Sequence, residues 1–278
     1  MRKSVLSAAV AAALAVPTLA AAQTPAAAPP PPPVTGNMTI ASDYRFRGIS
    51  QTYKGPAIQG GVDYANASGL YLGNWNSNVS SVMYPGGSAI EMDFYGGWKK
   101  SFGDFGLDLG TIYYYYPNAE FNSNTGAVSG SSKLDNWEIY IGGSWKWITA
   151  KLNYAVDNYF GLDNVQGGDG FISNKNTGVP IGAHGDSKGT YYFDLTATYP
   201  VNEKLSLIGH YGHLKVKNYG DLDYDDWKIG ATYDLNGWVF GAAYVDTTAK
   251  EEFYWLPGAK GNRETGKSTV VLSVSKTF

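Results

Sequence analysis

Cysteine is absent from the 278 residues, which excludes a disulfide framework and any thiolate metal site. Histidine is scarce as well: His184 falls in a polar stretch, while His210 and His213 stand three apart on an extended segment and point to opposite faces, so they form no metal set. Beyond the first two dozen residues there is no apolar run long enough to cross a bilayer as a helix. Neither sign of charge is in large excess, with 21 Lys and Arg against 24 Asp and Glu, and no basic tract offers a nucleic-acid surface. Catalytic constellations are missing too. His213 is the one candidate general base at a suitable height for a lipid-modifying hydrolase, and no serine is identifiable as its partner.

What is present begins with Arg2 and Lys3, a short apolar run from Val5 to Leu19, and Ala20-Ala21-Ala22. This is the pattern of a cleaved secretory signal covering residues 1–22. Residues 23–36 follow as a Pro/Ala-rich linker, whose five consecutive prolines favour an extended spacer over a packed element. The remainder, 37–278, is read as one domain. Its 35 Gly, 22 Tyr and 8 Trp accompany a period-two alternation that marks strands with one apolar and one polar face.

Twelve such segments run over 37–48, 56–65, 69–78, 89–99, 104–116, 135–145, 149–159, 190–199, 204–214, 225–234, 237–246 and 267–278. After every even segment comes a tight turn, such as "KSFGD", "WKWI" or "LNG". After odd segments come longer polar stretches, above all 160–189 and 247–266. Long connections at one end and short ones at the other, with both termini at the short end, are the connectivity of an even-stranded outer-membrane β-barrel. The expected fold is therefore all-β: a transmembrane antiparallel up-and-down barrel of about twelve strands. A soluble sandwich alternates in the same way but turns its aliphatic face to a dry core. The export signal, the turn asymmetry and the aromatic excess favour the barrel. Trp145, Tyr199 and Tyr233 fall at segment ends, where an aromatic girdle belongs.

The closing "VVLSVSKTF" lines Val270, Leu272, Val274 and Phe278 along one face and ends on an aromatic residue. It resembles the terminal strand read by the outer-membrane assembly machinery, with Lys276 placed to snorkel. The opening "SDYRFRGISQT", followed by "GPAIQGGVDY" and "SGLYLGNWNSNV", resembles the TorF family of proteobacterial porin-like proteins, most specifically over Ser42–Val79. That resemblance implies an outer-membrane barrel presumed to form a channel, and it brings no catalytic residues and no known substrate.

On this register Met38, Ile40, Tyr44 and Phe46 are expected to face lipid, and Asp43, Arg45 and Arg47 the lumen. An arginine at the lipid midplane would cost roughly 2–4 kcal/mol. Asp63, Glu91, Asp93, Asp108, Glu138, Asp157, Asp194, Asp226 and Asp234 join the expected pore lining, with Lys146, Lys151 and Lys228 as its other basic members. Carboxylates prevail, so the interior field is expected to be mixed with a negative bias. Arg45 and Arg47 are expected to set selectivity, with Asp63 and Glu91 as facing partners.

Two motifs carry blander readings. "GNRETGKS", Gly261–Ser268, matches the phosphate-loop pattern, but a strand rather than a helix follows it, so Lys267 and Arg263 are taken as rim charges. The carboxylates of "DLDYDD", 221–226, read as a solvated loop before a calcium or lipopolysaccharide site. The expectation is a bacterial outer-membrane channel for passive diffusion of ions or small polar solutes, with lipid and lipopolysaccharide around it, no cofactor, no metal and no catalysis. A closed structural or adhesive barrel acting through its outer loops is the alternative.

Overall fold

The structure, a computed structural model, describes residues 33–84, 86–124, 129–169, 171–257 and 261–278; the signal segment and residues 23–32 of the proline-rich linker lie outside these residues. Twelve long strands form a closed barrel. They are β1 (Val34–Ala41), β2 (Ala57–Ala65), β3 (Leu70–Asn78), β4 (Ile90–Phe102), β5 (Phe105–Tyr115) and β6 (Asn136–Trp145). Then come β7 (Ile148–Ala155), β8 (Tyr191–Pro200), β9 (Leu205–Lys215), β10 (Tyr224–Leu235), β11 (Trp238–Thr247) and β12 (Thr269–Thr277). Each pairs antiparallel with its chain neighbours, and β1 pairs with β12 from Asn37↔Thr277 to Ala41↔Ser273 to close the ring. Closure leaves no strand edge to pair with another chain.

The two faces of each strand part as the alternation requires. Along β6, Trp137, Ile139, Ile141 and Trp145 are exposed on the outer face, while Asn136, Glu138 and Tyr140 are buried inside. Along β12, Val270 and Leu272 face out, and Val271 and Ser275 face in. A soluble sandwich would bury the first set and hydrate the second.

The first strand departs from expectation. It covers 34–41 rather than 37–48, so Val34–Gly36 belongs to the wall and not to a linker. After Ala41 the chain turns inward and makes a small hairpin, Arg45–Phe46 paired with Ile49–Ser50. Arg47 and Gly48 form its tip at φ 48° and 79°. Two successive residues at positive φ are what a tight type I′ hairpin requires, and glycine adopts the second at no steric cost. Tyr44 and Phe46 thus point to the interior, not to lipid, and join a buried cluster with Tyr84, Tyr114, Tyr116 and Phe121. The seventh strand ends at Ala155 instead of 159, leaving Asp157 in the following connection.

Inward tyrosines account for much of the glycine. Tyr95 lies over Gly73, Tyr71 over Gly97, Tyr140 over Gly110 and Tyr192 over Gly212, each glycine on an adjacent strand. A Cβ on Gly212 would fall 2.6 Å from a ring carbon of Tyr192 and against Asp226. Flat rings against bare backbone fill the interior without widening the barrel. Gly212→Val is expected to destabilise the barrel by roughly 1–3 kcal/mol through overpacking. The outward Gly209, with no atom near its absent Cβ, tolerates the same change. Urea unfolding of both variants in lipid, followed by tryptophan fluorescence, makes the comparison.

Candidate functional site in the barrel lumen

The interior divides into two halves with different chemistry. At the long-loop end the hairpin of residues 42–52 is folded into the lumen and held by two charged anchors. Arg45 Nε donates to Asp43 Oδ2 at 2.7 Å, and Arg45 Nη1 donates to the carbonyls of Gly48, Thr265 and Lys267 at 3.0–3.1 Å. Asp43 also accepts from the Ser50 hydroxyl at 2.6 Å. Arg47 crosses to the far wall, where its Nη2 donates to Glu138 Oε2 at 2.6 Å and its Nη1 to the Tyr159 hydroxyl at 3.2 Å. Its guanidinium also lies over the rings of Tyr192 and Phe46, 4.4 and 4.7 Å from their centres, in cation–π contact. The Tyr224 hydroxyl donates to the Arg47 carbonyl at 2.8 Å.

These arginines are therefore not open selectivity residues on the wall. They neighbour Asp43 and Glu138, not Asp63 and Glu91 as expected. Glu91 instead accepts from the hydroxyls of Tyr44 and Tyr116, both at 2.7 Å, and Asp63 accepts from Tyr95 at 2.5 Å. The physical reason is the tight turn at Arg47-Gly48: it reverses the chain and carries both side chains off the barrel surface.

The connection between β7 and β8 completes this plug. Phe160 packs edge-on against Phe46 and tilted against Tyr114, and Gln166 is buried with its amide donating to the Phe160 carbonyl. The long polar connection 160–189 thus lies in part inside the lumen. Above it, the phosphate-loop look-alike turns the carbonyls of Thr265 and Lys267 toward Arg45, and strand β12 follows it. Arg263 lies over the Tyr53 ring and Lys267 is exposed, both on the rim. Lys175 donates to Glu264 at 2.6 Å across two outer connections. That bond lowers the Glu264 carboxyl below its ordinary range and raises the Lys175 ammonium above its own, so the tie is present at neutral pH and is lost as acid protonates Glu264. The carboxylates of 221–225 each face a base: Asp221 meets Lys250, Asp223 meets Lys215, and Asp225 meets His213.

Among the described residues, the short-turn half is polar wall with no chain segment folded into it. Register brings the charges there into one cross-strand row. Lys99 opposes Asp108, Asp108 opposes Gly142, Gly142 opposes Lys151, Lys151 opposes Asp194, Asp194 opposes Gly212, and Gly212 opposes Asp226. Because barrel strands are tilted, such a row climbs the wall. It starts near the short-turn end of β4 and finishes near the long-loop end of β10, beside the hairpin tip, where a Cβ on Gly48 would meet Asp226 at 2.8 Å.

Each carboxylate in the row has a neutral donor beside it. Tyr71 donates to Asp108 at 2.6 Å, Thr196 to Asp194 at 2.8 Å, and Tyr192 to Asp226 at 2.9 Å. His210 Nε2 stands 3.0 Å from Asp226 on the inner face, while His213 is on the outer face. The ammonium of Lys151 sits over the Tyr140 ring at 4.2 Å and that of Lys99 over Tyr71 at 5.3 Å. Among the described residues, no carboxylate oxygen lies within salt-bridge distance of Lys99, Lys151 or Lys228.

Of the remaining expected lining residues, Glu91, Asp93 and Glu138 are buried at plug height, and Asp63, Lys228 and Asp234 are half-buried on inward-facing positions. Asp234 accepts from the Gly237 amide of the β10–β11 turn. Lys146 and Asp157 are not on the inner wall. Lys146 occupies the β6–β7 turn at φ 52° with its ammonium over Trp145, and Asp157 is exposed beyond β7. Lys99 and His210 were not among the expected lining residues, although Lys99 shares the polar face of Glu91 and Asp93 in the period-two count and His210 falls on an inward position of β9.

The model of a bacterial family of unknown function, Gcw_chp, matches residues 25–278. The chain belongs to the Gcw_chp family. That match does not carry the TorF name. No curated protein matches the Gcw_chp chain. Among solved structures it is similar to a KdgM porin, at 9% identity and TM-score 0.48 over 88% of this chain and 98% of that one. A NanC porin gives 9% identity and TM-score 0.47 over the same shares. OccAB3 of Acinetobacter baumannii gives 11% and 0.38 over 89% of this chain and 65% of its own.

In the Gcw_chp barrel the Arg47–Glu138 pair spans the lumen with both side chains 5% exposed or less. Removing one partner leaves a buried charge uncompensated. Arg47→Ala or Glu138→Gln is therefore expected to cost about 3–5 kcal/mol, and Arg47→Met combined with Glu138→Leu less than either alone. Equilibrium unfolding of the four proteins in lipid measures the difference.

Proposed function

We propose that this protein is an outer-membrane channel that passes small cations, with its outer end narrowed by the inward hairpin of residues 42–52. The observation that carries the reading is the pairing of an apolar outer wall with an inner wall whose charges form a row from one mouth to the hairpin tip. Unpaired backbone groups are not tolerated in hydrocarbon, and a closed barrel satisfies them all. An eight-stranded barrel is filled by its own side chains; twelve strands enclose more, and among the described residues the inserted chain lies at the long-loop end.

The sign of the selectivity follows from which charges remain uncompensated. Arg45 and Arg47 are each bonded to a carboxylate inside the plug. Along the inner wall outside the hairpin Asp63, Asp108, Asp194, Asp226 and Asp234 outnumber Lys99, Lys151 and Lys228, so the local potential is negative. A ring or row of carboxylates concentrates cations and repels anions. The long-loop end lies outside the cell and the short turns in the periplasm, as in other barrels of this kind.

A second reading has its own support. The plug is closely packed: Tyr44, Tyr114 and Tyr116 are 4% exposed or less, and Arg45 is 1% exposed. A barrel so closed would act through its outer connections alone. Planar bilayers with asymmetric potassium chloride separate the two. The channel reading expects discrete steps, a reversal potential on the cation side, and a shift of that potential toward zero in Asp108→Asn with Asp194→Asn. Replacing residues 43–51 by a short Gly/Ser turn is expected to raise the unit conductance several-fold. Silence from both the native chain and the shortened one would leave the closed barrel as the function.

A further inference from the structure

Three inward residues recur on the barrel wall in one arrangement. Tyr71 on β3, Lys99 on β4 and Asp108 on β5 form the first set; Tyr140 on β6, Lys151 on β7 and Asp194 on β8 form the second. In each set the lysine stands directly opposite the aspartate. It also lies two positions toward the short turns from the residue that opposes the tyrosine, which is Gly97 for Tyr71 and Asn153 for Tyr140. The second set is thus the first moved round the barrel by three strands, roughly 14 Å at the usual spacing between neighbours.

A lysine opposite an aspartate on neighbouring strands is placed to close on it, since their Cβ atoms lie about 5 Å apart. Neither pair closes. Lys99 holds its ammonium over the Tyr71 ring, 5.3 Å from the centre, and Lys151 over the Tyr140 ring at 4.2 Å. The aspartates take neutral donors on one oxygen each, Tyr71 on Asp108 Oδ1 and Thr196 on Asp194 Oδ1. Asp194 Oδ2 also faces His210 Nδ1 at 3.4 Å. Nor are the charged heads sealed. Among the described residues, the side-chain atoms enclosed without a partner lie elsewhere, at Arg45, Asn76, Asp93, Asn136 and Asp169, and Lys99 is exposed. Each set therefore presents to the lumen an ammonium and a carboxylate that are side by side and held apart.

We propose that the two sets are successive stations for a compact zwitterionic solute, one that carries an ammonium and a carboxylate a few bonds apart as an amino acid does. Such a solute turns its ammonium to the aspartate and its carboxylate to the lysine, and so satisfies both heads together. A potassium ion is attracted by the aspartate but repelled by the lysine beside it, and chloride meets the reverse. An uncharged solute of the same size gains neither contact. Repeated sites along a path, each open enough to leave, are what conduction requires. The inference rests on the channel reading above and adds a class of solute to the cations.

The test uses the protein in lipid, with heat-modifiable migration confirming that each variant is folded. Entry of dilute radiolabelled glycine into proteoliposomes is expected to be at least three times faster than that of glycolamide, its uncharged isomer, after subtraction of protein-free vesicles. Lys99→Gln combined with Lys151→Gln is expected to lower glycine entry at least threefold while raising potassium conductance, because the carboxylates stay and the repelling ammoniums go. In planar bilayers, glycine added to potassium chloride is expected to reduce the unit conductance of the native channel more than glycolamide does, a measurement that needs no variant. Equal entry of glycine and glycolamide, or glycine entry untouched by the double substitution, overturns the proposal while potassium still passes. A chain that passes neither potassium nor glycine overturns the channel reading and this one together.

Discussion

The structure depends on one pairing, the antiparallel contact of β1 with β12 that turns a long sheet into a ring. Once the ring closes, every wall residue has one of two environments, and the period-two alternation decides which. The outer environment accepts Ile, Val, Leu, Trp and Phe at high exposure without a core to bury them. The inner one accepts Glu91, Asp93, Asp108, Glu138 and Asp226 at almost none. Neither assignment would be tenable in an open sheet in water, where the outer residues would aggregate and the inner carboxylates would have no reason to be enclosed. Closure also fixes the cross-strand opposition that aligns Lys99, Asp108, Lys151, Asp194 and Asp226 along a single climbing row.

Enclosed charges need donors, and the tyrosines supply them. Tyr44, Tyr71, Tyr95, Tyr116 and Tyr192 each place a hydroxyl on a carboxylate, while the ring lies against a neighbouring glycine or packs in the plug. A phenol suits this position: it brings a large apolar surface to fill volume and a single polar tip to satisfy an acid. The abundance of Gly and Tyr in the composition is thus one feature. Part of it lies on the inner wall, where a lipid-facing girdle is no explanation.

Strand count, turn placement and face assignment were legible in the sequence because they depend on local periodicity and on which connections are short. The "LNG" turn between β10 and β11 is an instance: Asn236 and Gly237 take φ 55° and 81°, the tight hairpin that this dipeptide favours. Asp108, Lys151, Asp194 and Asp226 were placed inward by the same count. What periodicity does not contain is where a strand stops. Asp157 continues the alternation of β7 in letters, yet the chain has left the wall by Ala155. Lys146 keeps the polar phase of β6 but falls in a turn, where phase has no meaning.

The opening stretch shows the limit most clearly. In "SDYRFRGI" the charges recur at every second position, as they would along a wall strand facing water. The same spacing also serves a hairpin, because the two arms of a tight turn alternate just as a strand does. What separates the cases is Arg47-Gly48. A glycine after a residue able to take the left-handed conformation permits reversal, and reversal inside a barrel mouth sends the tip into the lumen. Arg47 then needs a counter-charge on the far wall, and Glu138 provides it; Arg45 needs carbonyls on the rim, and the 265–267 segment provides them. Both arginines are held by residues distant in the chain, from 91 to 222 positions away, so no local reading of the stretch reveals where they end. The charges that look most open to solvent in the sequence are the ones that hold the inserted hairpin in place.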